Sequence, residues 1–248
     1  MYFIAALLAC GAFLAGLRAA SLKGYAVLLP LLLAKSVLHY RPDWEYALFP
    51  WPWYVFVQSW LFYPLGLGCL GLAAGLLPKG RNRAAVTVLA GFVLLVSLWT
   101  ERWMAASPDD SSQARARADH HCEQTTTWSC GPAACVVLLS CLGIEATEGE
   151  MARLCRTAPH GGTSLFHIAR GLRLRLPGRD VHIVDGDPLA LRARGGLAIV
   201  SVHRIHVVVA RFDGGDVVLH DPARPDPERM TFDAYRARYG GFAVVVGG

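Results

Sequence analysis

Apolar residues crowd the first part of the chain, and polar residues return only after it. Charged side chains are sparse up to about position 104, whereas Arg, Asp, Glu and His recur every few residues from about position 108 onward. A helix that spans a bilayer needs roughly 20 mainly apolar residues. Four stretches approach this length, at 1–17, 24–40, 54–77 and 84–104. The pattern therefore predicts an α-helical transmembrane region of about four helices within residues 1–106.

Two of these stretches allow another interpretation. Pro30 interrupts the second stretch and Lys35 lies within it, although a lysine near one end can extend its ammonium to the interface. The first stretch lacks the basic residues that precede the apolar core of a cleaved signal peptide, so we expect a retained helix. An aromatic segment at 44–54 follows the second stretch and is typical of a membrane–water interface.

Composition and charge support a division of the chain into two unlike halves. Hydrophobic residues make up 54% of the sequence and charged residues 17%, whereas a soluble domain is nearer a quarter charged. The polar segment 107–118 has no apolar periodicity and is predicted to be a linker, which leaves 119–248 as a second domain. The net charge is +5, and the arginines are scattered among acids, so we expect no nucleic-acid partner.

A cysteine stands at the predicted start of a helix in the second half. Pro132 suits a first helical turn, an apolar run follows it, and Gly143 can supply the left-handed residue that ends the helix. Cys130 then lies at the helix N-terminus, where free N–H groups and the helix dipole favour an anion. The position suits a thiolate nucleophile, and the alternative is a buried structural cysteine.

A base for this cysteine is available in a predicted β-hairpin. The run at 205–210 continues or pairs with the apolar strand before it, and the turn at 213–215 leads into a short strand that ends at Asp221. In an antiparallel pair His206 and Asp221 emerge at the same end of the sheet, which suits a hydrogen bond between them. His203 is an alternative base, but its spacing from His206 places it on the opposite strand face.

The other histidines and cysteines in this half carry weaker signals. No second pair at zinc-site spacing accompanies His120, His121 and Cys122, so we expect neither a metal nor another cofactor. Cys135 and Cys141 lie about 9 Å apart along one helix, too far for a disulfide. A bridge between Cys122 and Cys155 stays open.

Three motifs in this order resemble the double-glycine-leader (bacteriocin-processing) peptidases of the papain-like cysteine peptidase superfamily. They are Gln-x5-Cys-Gly-Pro-Ala, His-Val-Val-Val and Asp-Pro, and the resemblance covers about 121–246. It implies an α+β papain-like domain with an antiparallel sheet. It also implies roles for Cys130 as nucleophile, His206 as general base, Asp221 as its orienting partner and Gln124 as an oxyanion-hole residue. The segment 162–165 lies near the substrate cleft in that family.

The resemblance implies hydrolysis of a peptide or protein substrate, with cleavage after two glycines as the family specificity. The same triad could pass its acyl group to an amine, as an acyltransferase or transpeptidase does, and a non-catalytic membrane sensor or binding module is the third alternative. Family members fused to exporters carry an ATP-binding domain, but this sequence has no Gly-x4-Gly-Lys-Ser/Thr motif, so it is not that transporter.

The charges between the apolar stretches predict an orientation. Basic residues concentrate at 18–23 and 79–83, whereas the middle loop sets Arg41 against Asp43 and Glu45. The positive-inside rule then places the first and third loops in the cytoplasm. We therefore expect an integral protein of the bacterial inner membrane that contacts the lipid bilayer and could bind a membrane-protein partner. Its catalytic domain would face the periplasm or the cell exterior.

Overall fold

A computed structural model describes residues 2–18, 22–49, 54, 61–78, 80–104, 112–158, 162–194, 196–202 and 206–247. The chain separates into two compact units. The first contains Met1–Arg41 and Phe49–Trp103, and the second contains Pro42–Leu48 and Met104–Gly248.

Helices make up the described part of the N-terminal half. The first unit contains most of them. Its α1 and α4 can pack closely because Gly16 and Gly71 have no Cβ; a Cβ at either position would collide with the backbone of the other helix. Alanine, leucine and aromatic side chains, among them Ala9, Phe13 and Leu67, fill the rest of this core. The helices are α1 (Tyr2–Arg18), α2 (Leu22–Tyr40), α3 (Pro42–Leu48), α4 (Phe62–Leu76) and α5 (Arg81–Met104).

The predicted transmembrane region is wrong. Among the described residues, no helix combines the length and the apolar character needed to cross a membrane. Helices α1 and α4 have 17 and 15 residues, short of the roughly 20 that a span needs. Helix α2 is interrupted by Pro30, and the mean hydropathy of α5 is lowered by charged residues towards both of its ends.

The predicted location in the bacterial inner membrane, with an external catalytic domain, depended on those spans and is wrong with them. The bilayer and a membrane-protein partner likewise gain no support. Two predictions lie partly outside the described residues: the aromatic segment at 50–53 and the linker at 107–111. Tyr46, from the same aromatic segment, is 4% exposed and packs within the second unit, where its hydroxyl donates to the carbonyl of Val181 at 2.6 Å.

The second unit is an α+β fold with an antiparallel sheet, as predicted for that half. Within its described residues the strand order is β1-β6-β2-β3-β4-β5, and each neighbouring pair is antiparallel. The strands are β1 (Val181–Asp185), β2 (Leu197–Val202), β3 (His206–Asp213), β4 (Asp216–His220), β5 (Glu228–Thr231) and β6 (Phe242–Val246). The helices are α6 (Cys130–Cys141), α7 (Glu148–Leu154), α8 (Leu165–Arg175), α9 (Pro188–Ala193) and α10 (Phe232–Arg238).

Helix α6 is the central helix of this unit. Every residue from Cys130 to Leu139 is buried, because the sequence of this helix is almost wholly apolar and packs against β2 and β3 on one side and α7 and α8 on the other. The helix ends as the sequence predicts, with Gly143 in the left-handed region at φ +74°. Burial of the helix from Cys130 to Leu139 holds its N-terminal residue in a fixed place.

The hairpin β3–β4 has the short turn that the sequence predicts. Asp213 pairs with Asp216 across Gly214 and Gly215, and Gly214 has φ +60°, which two-residue hairpin turns favour. The turn sets the register at Val209 opposite His220. Because β3 and β4 are antiparallel, β4 ends at the same end of the sheet at which β3 begins. His206, at the start of β3, and Asp221, just after β4, can therefore meet.

Candidate functional site

Cys130 is the first residue of α6, the only position in that helix that combines a thiol with the free N-terminal N–H groups. Cys130 is 9% exposed. The preceding Ser129 closes the turn: its hydroxyl accepts from the N–H of Thr126 at 3.1 Å and donates to the carbonyl of Thr126 at 3.1 Å. The positive end of the helix dipole therefore lies at the sulfur and favours an anion there.

His206 lies between Cys130 and Asp221. It is the first residue of β3, and its Nε2 lies 2.6 Å from Oδ1 of Asp221. The Cys130 side chain interacts with the ring and raises its pKa. Since Nε2 faces Asp221, Nδ1 is the ring nitrogen left for the thiol. The structure thus brings together the residues that the sequence predicts as nucleophile, base and orienting group.

These contacts raise the pKa of His206 to about 9. The interaction with the Cys130 side chain is the largest cause, burial of the ring opposes the rise in pKa, and the hydrogen bond with Asp221 adds to it. The exposed fractions of the His206 and Asp221 side chains are 25% and 18%, so water screens the pair only in part. The arrangement favours an imidazolium beside the sulfur at neutral pH.

Asp221 is held by the chain that follows it. Its Oδ1 also accepts from the N–H of Ala223 at 3.0 Å, and its Oδ2 lies 3.5 Å from Nε of Arg224. Arg224 is itself anchored, because its Nη1 donates to Glu228 at 2.9 Å. The carboxylate is therefore oriented towards His206 by contacts on both of its oxygens.

Gln124 is hydrogen-bonded through its backbone to the segment that follows β4. Its N–H donates to the carbonyl of Pro222 at 2.9 Å, directly after Asp221. The side chain is half-buried, and among the described residues nothing hydrogen-bonds to its buried Oε1. The role of the amide in an oxyanion hole stays a prediction.

The segment that follows residue 161 packs against the start of α6. A Cβ on Gly131 would lie 2.6 Å from Cβ of Thr163, so only glycine leaves room for this threonine beside Cys130. Hydroxyls of Thr157 and Thr163 are hydrogen-bonded at 2.7 Å, and Ser164 caps α8 by accepting from the N–H of His167. Residues 159–161 lie outside the described part of the chain.

His220 is directed away from this arrangement: it is fully buried, and its ring stacks on His121 with a centroid distance of 5.8 Å. His203, the alternative base, lies outside the described residues. Burial and the neighbouring His121 lower the pKa of His220 to about 4, so it is neutral at physiological pH. Across the described positions, no group of three or more His, Cys, Asp and Glu could hold a metal ion.

The cysteines, all of which the structure describes, are free thiols. Cys155 faces Cys135, with the two sulfurs 3.8 Å apart. Cys122 is buried, its thiol directed to the carbonyl of Glu123 at 3.8 Å, and burial raises its pKa to about 12. The bridge between Cys122 and Cys155 that the sequence left open is not formed.

The sequence did not indicate Glu148, a charged residue in this neighbourhood. Its carboxylate is 1% exposed and contacts Thr125, the residue after Gln124. The Thr147-x-x-Glu150 pattern marks the start of α7 but says nothing of a contact with a segment 23 positions earlier.

No protein-family model matches the chain. A relative from Methanothermobacter thermautotrophicus, an uncharacterised protein, is 29% identical over 113 residues, which is 40% of this chain and 69% of the relative. The solved peptidase domain of Streptococcus ComA, a bi-functional ABC transporter involved in quorum sensing, is 18% identical, with a TM-score of 0.42 over 50% of this chain and 95% of that one.

Two further solved structures are similar at the same identity of 18%. A double-glycine-motif protease from an AMS/PCAT transporter, in complex with its leader peptide, gives a TM-score of 0.45 over 54% of this chain and 94% of the protease. The peptidase domain of Streptococcus mutans ComA gives 0.37 over 51% and 97%. The chain is thus similar to these peptidase domains at a low level.

Proposed function

We propose that this chain is a cysteine peptidase with Cys130 as nucleophile, His206 as general acid and base and Asp221 as the orienting group. The observation that carries this proposal is the imidazole of His206, whose Nε2 lies 2.6 Å from Oδ1 of Asp221 and whose pKa is raised chiefly by Cys130. A nucleophile, a base and a third group that orients the base is the arrangement that activates a thiol for attack on a carbonyl.

In the first half-reaction, His206 holds the proton of the Cys130 thiol, and the sulfur bonds to the carbonyl carbon of the scissile peptide while the carbonyl oxygen takes the negative charge. When this intermediate collapses, the carbon–nitrogen bond breaks, and His206 donates that proton to the leaving amine. A thioester on Cys130 remains. In the second half-reaction, His206 accepts a proton from water as the water oxygen attacks the thioester carbonyl. The carbon–sulfur bond then breaks, His206 returns the proton to the sulfur, and the acid product leaves with the free thiol restored.

The developing oxyanion needs hydrogen-bond donors. The N–H of Cys130, at the start of α6, and the side-chain amide of Gln124 are the groups proposed for this role. Removal of one such donor typically raises the barrier by ~2.7 to 4 kcal/mol. The backbone bond from Gln124 to Pro222, at 2.9 Å, supports the assignment because it holds Gln124 beside the residue that follows Asp221.

The proposed substrate is a peptide or protein segment with two glycines before the cleavage site. This finer statement is supported by the resemblance of Gln-x5-Cys-Gly-Pro-Ala at 124–133 to the double-glycine-leader peptidases. Small residues before the scissile bond would let an extended backbone approach Cys130 closely, since glycine has no Cβ.

The test uses the full chain and a synthetic peptide that contains a Gly-Gly site in the middle. Mass spectrometry should show cleavage after the second glycine, lost in Cys130→Ala and kept in Cys141→Ala, which removes a half-buried thiol at the other end of the same helix. Cleavage that persists in Cys130→Ala would overturn the proposal. An added amine distinguishes the two acyl acceptors, because transfer yields an amide product of higher mass than the hydrolysed acid.

A further inference from the structure

Glu148 is a buried carboxylate that contacts Thr125, the residue after the proposed oxyanion-hole residue Gln124. It is the first residue of α7 and is 1% exposed. Its Oε1 accepts from the N–H of Thr125 at 3.0 Å, and its Oε2 accepts from the hydroxyls of Thr125 and Ser112, the latter at 2.7 Å. Both oxygens are therefore satisfied, and the residue they hold most firmly is Thr125.

Thr125 links this carboxylate to the proposed catalytic groups. The N–H of the residue before it, Gln124, donates to the carbonyl of Pro222 at 2.9 Å. The residue after it, Thr126, is locked by the hydroxyl of Ser129 at 3.1 Å, next to Cys130. The short segment between Gln124 and Cys130 is thus fixed at its start by Pro222, near its middle by Glu148 and at its end by Ser129.

The chemistry of the contact explains why a carboxylate is needed. Hydrogen bonds to an ionised acceptor are shorter and about twice as strong as neutral ones. A buried carboxylate is also costly unless donors surround it, so its presence needs the donors that Thr125 and Ser112 supply. A glutamine in its place could accept from the N–H of Thr125 through its one oxygen, but its N–H₂ would face the two hydroxyls, which would have to turn from donors into acceptors, and the charge-assisted bonds would be lost.

We propose that Glu148 is a positioning residue that holds Gln124 in place relative to Cys130, through its hydrogen bonds to Thr125. This inference rests on the proposed peptidase function. Glu148 does not contact the substrate in this role. The loss of Glu148 should affect the step in which the oxyanion forms, because that step uses Gln124. It should not affect activation of the thiol, which uses His206.

Two reactions of the same cysteine separate these effects. Alkylation of Cys130 by iodoacetamide displaces iodide at a saturated carbon and creates no oxyanion, whereas cleavage of the Gly-Gly peptide does. In Glu148→Gln we expect kcat for the peptide to fall by roughly tenfold or more, with KM little changed. The alkylation rate should equal that of the wild type. A peptide aldehyde, which forms an oxyanion-like adduct with a thiol, should bind more weakly to the variant.

The matched control is Glu150→Gln, which removes the same charge two positions along α7, where Glu150 pairs with Arg175 at 3.0 Å. It should leave both reactions unchanged. Thr125→Val and Thr125→Ser form a second pair that keeps Glu148 itself intact. Valine removes the hydroxyl and should lower kcat as Glu148→Gln does, whereas serine keeps it and should preserve activity.

The double variant Gln124→Ala/Glu148→Gln completes the test. If Glu148 acts through Gln124, the double variant loses no more activity than Gln124→Ala alone. Losses that multiply, or alkylation that falls in step with peptide cleavage, would overturn the positioning role, since Glu148 would then act on folding or on the thiol. Cleavage that survives Cys130→Ala overturns the proposed function as well. If cleavage by the wild type depends on Cys130 but Glu148→Gln and Glu150→Gln cleave the peptide equally fast, only the positioning role is overturned.

Discussion

Nε2 of His206 lies 2.6 Å from Oδ1 of Asp221, across a hairpin in which the two residues are 15 positions apart. This bond fixes which ring nitrogen faces the carboxylate and leaves the other for Cys130.

Asp221→Asn should reduce kcat without abolishing it. The asparagine carbonyl can still accept from Nε2, so the ring keeps its orientation, but the charge that stabilises the imidazolium is lost. We expect a loss of roughly tenfold to a hundredfold, smaller than for Asp221→Ala, which removes the acceptor too. Steady-state kinetics of the three proteins provide the measurement. Equal losses in Asn and Ala variants would show that orientation contributes nothing.

The pH dependence of peptide cleavage should have its alkaline limb near 9, because the pKa of His206 is raised from 6.5 to about 9. The folded-state pKa is the higher one. Stabilisation of the fold from this group is therefore fully present below 6.5 and is lost as pH rises through about 9. Above that pH the neutral imidazole cannot donate a proton to the leaving amine, so kcat/KM falls.

The measurement is kcat/KM from below 6.5 to above 9, with NMR titration of His206 beside it. In Cys130→Ala the pKa of His206 should fall, since the interaction with Cys130 is the largest cause of its rise. A ring that titrates at the same pH in both proteins would contradict that interaction.

Gln124→Ala should lower kcat by about a hundredfold or more while iodoacetamide still alkylates Cys130 at the wild-type rate. The reason is that an oxyanion donor matters only once the carbonyl oxygen carries charge. Glu123→Ala, at the exposed neighbouring position, is the matched control and should retain full activity. An effect of Gln124→Ala confined to KM would place this side chain in substrate binding instead.

Gly131→Ala should destabilise the second unit by about 1 to 3 kcal/mol, the usual effect of overpacking a filled site. The new Cβ would lie 2.6 Å from Cβ of Thr163, and α6 is too buried to move aside. Urea denaturation measures the loss. Gly240→Ala is the control, because nothing lies within 4 Å of its added Cβ. Equal midpoints for the two variants would show that Thr163 yields without cost.

Local features of the second half were predictable from the sequence. Gly214 and Gly215 permit a tight turn, and the tight turn sets the register that brings His206 towards Asp221. Pro132 and Gly143 mark the beginning and end of α6, so Cys130 could be placed at a helix N-terminus. These features depend on neighbours in the chain, and sequence patterns report such neighbours directly.

The first half shows the limit of the same reasoning. Average hydropathy there resembles that of membrane spans, but it does not reveal where each helix ends, and none of the described helices is both long enough and apolar enough to span. Glycines at 16 and 71 let α1 and α4 pack backbone to backbone, a long-range contact that composition cannot show.

The sequence by itself determined the chemical groups of the candidate site and the turn and helix start that present three of them. Only the tertiary structure decided that Glu148 meets Thr125 from 23 positions away and that Tyr46 packs in the second unit. The physical reason is that a hairpin or a helix cap is stabilised by residues a few positions apart. The burial of a carboxylate among its donors depends instead on how whole elements pack, and no local pattern encodes that arrangement.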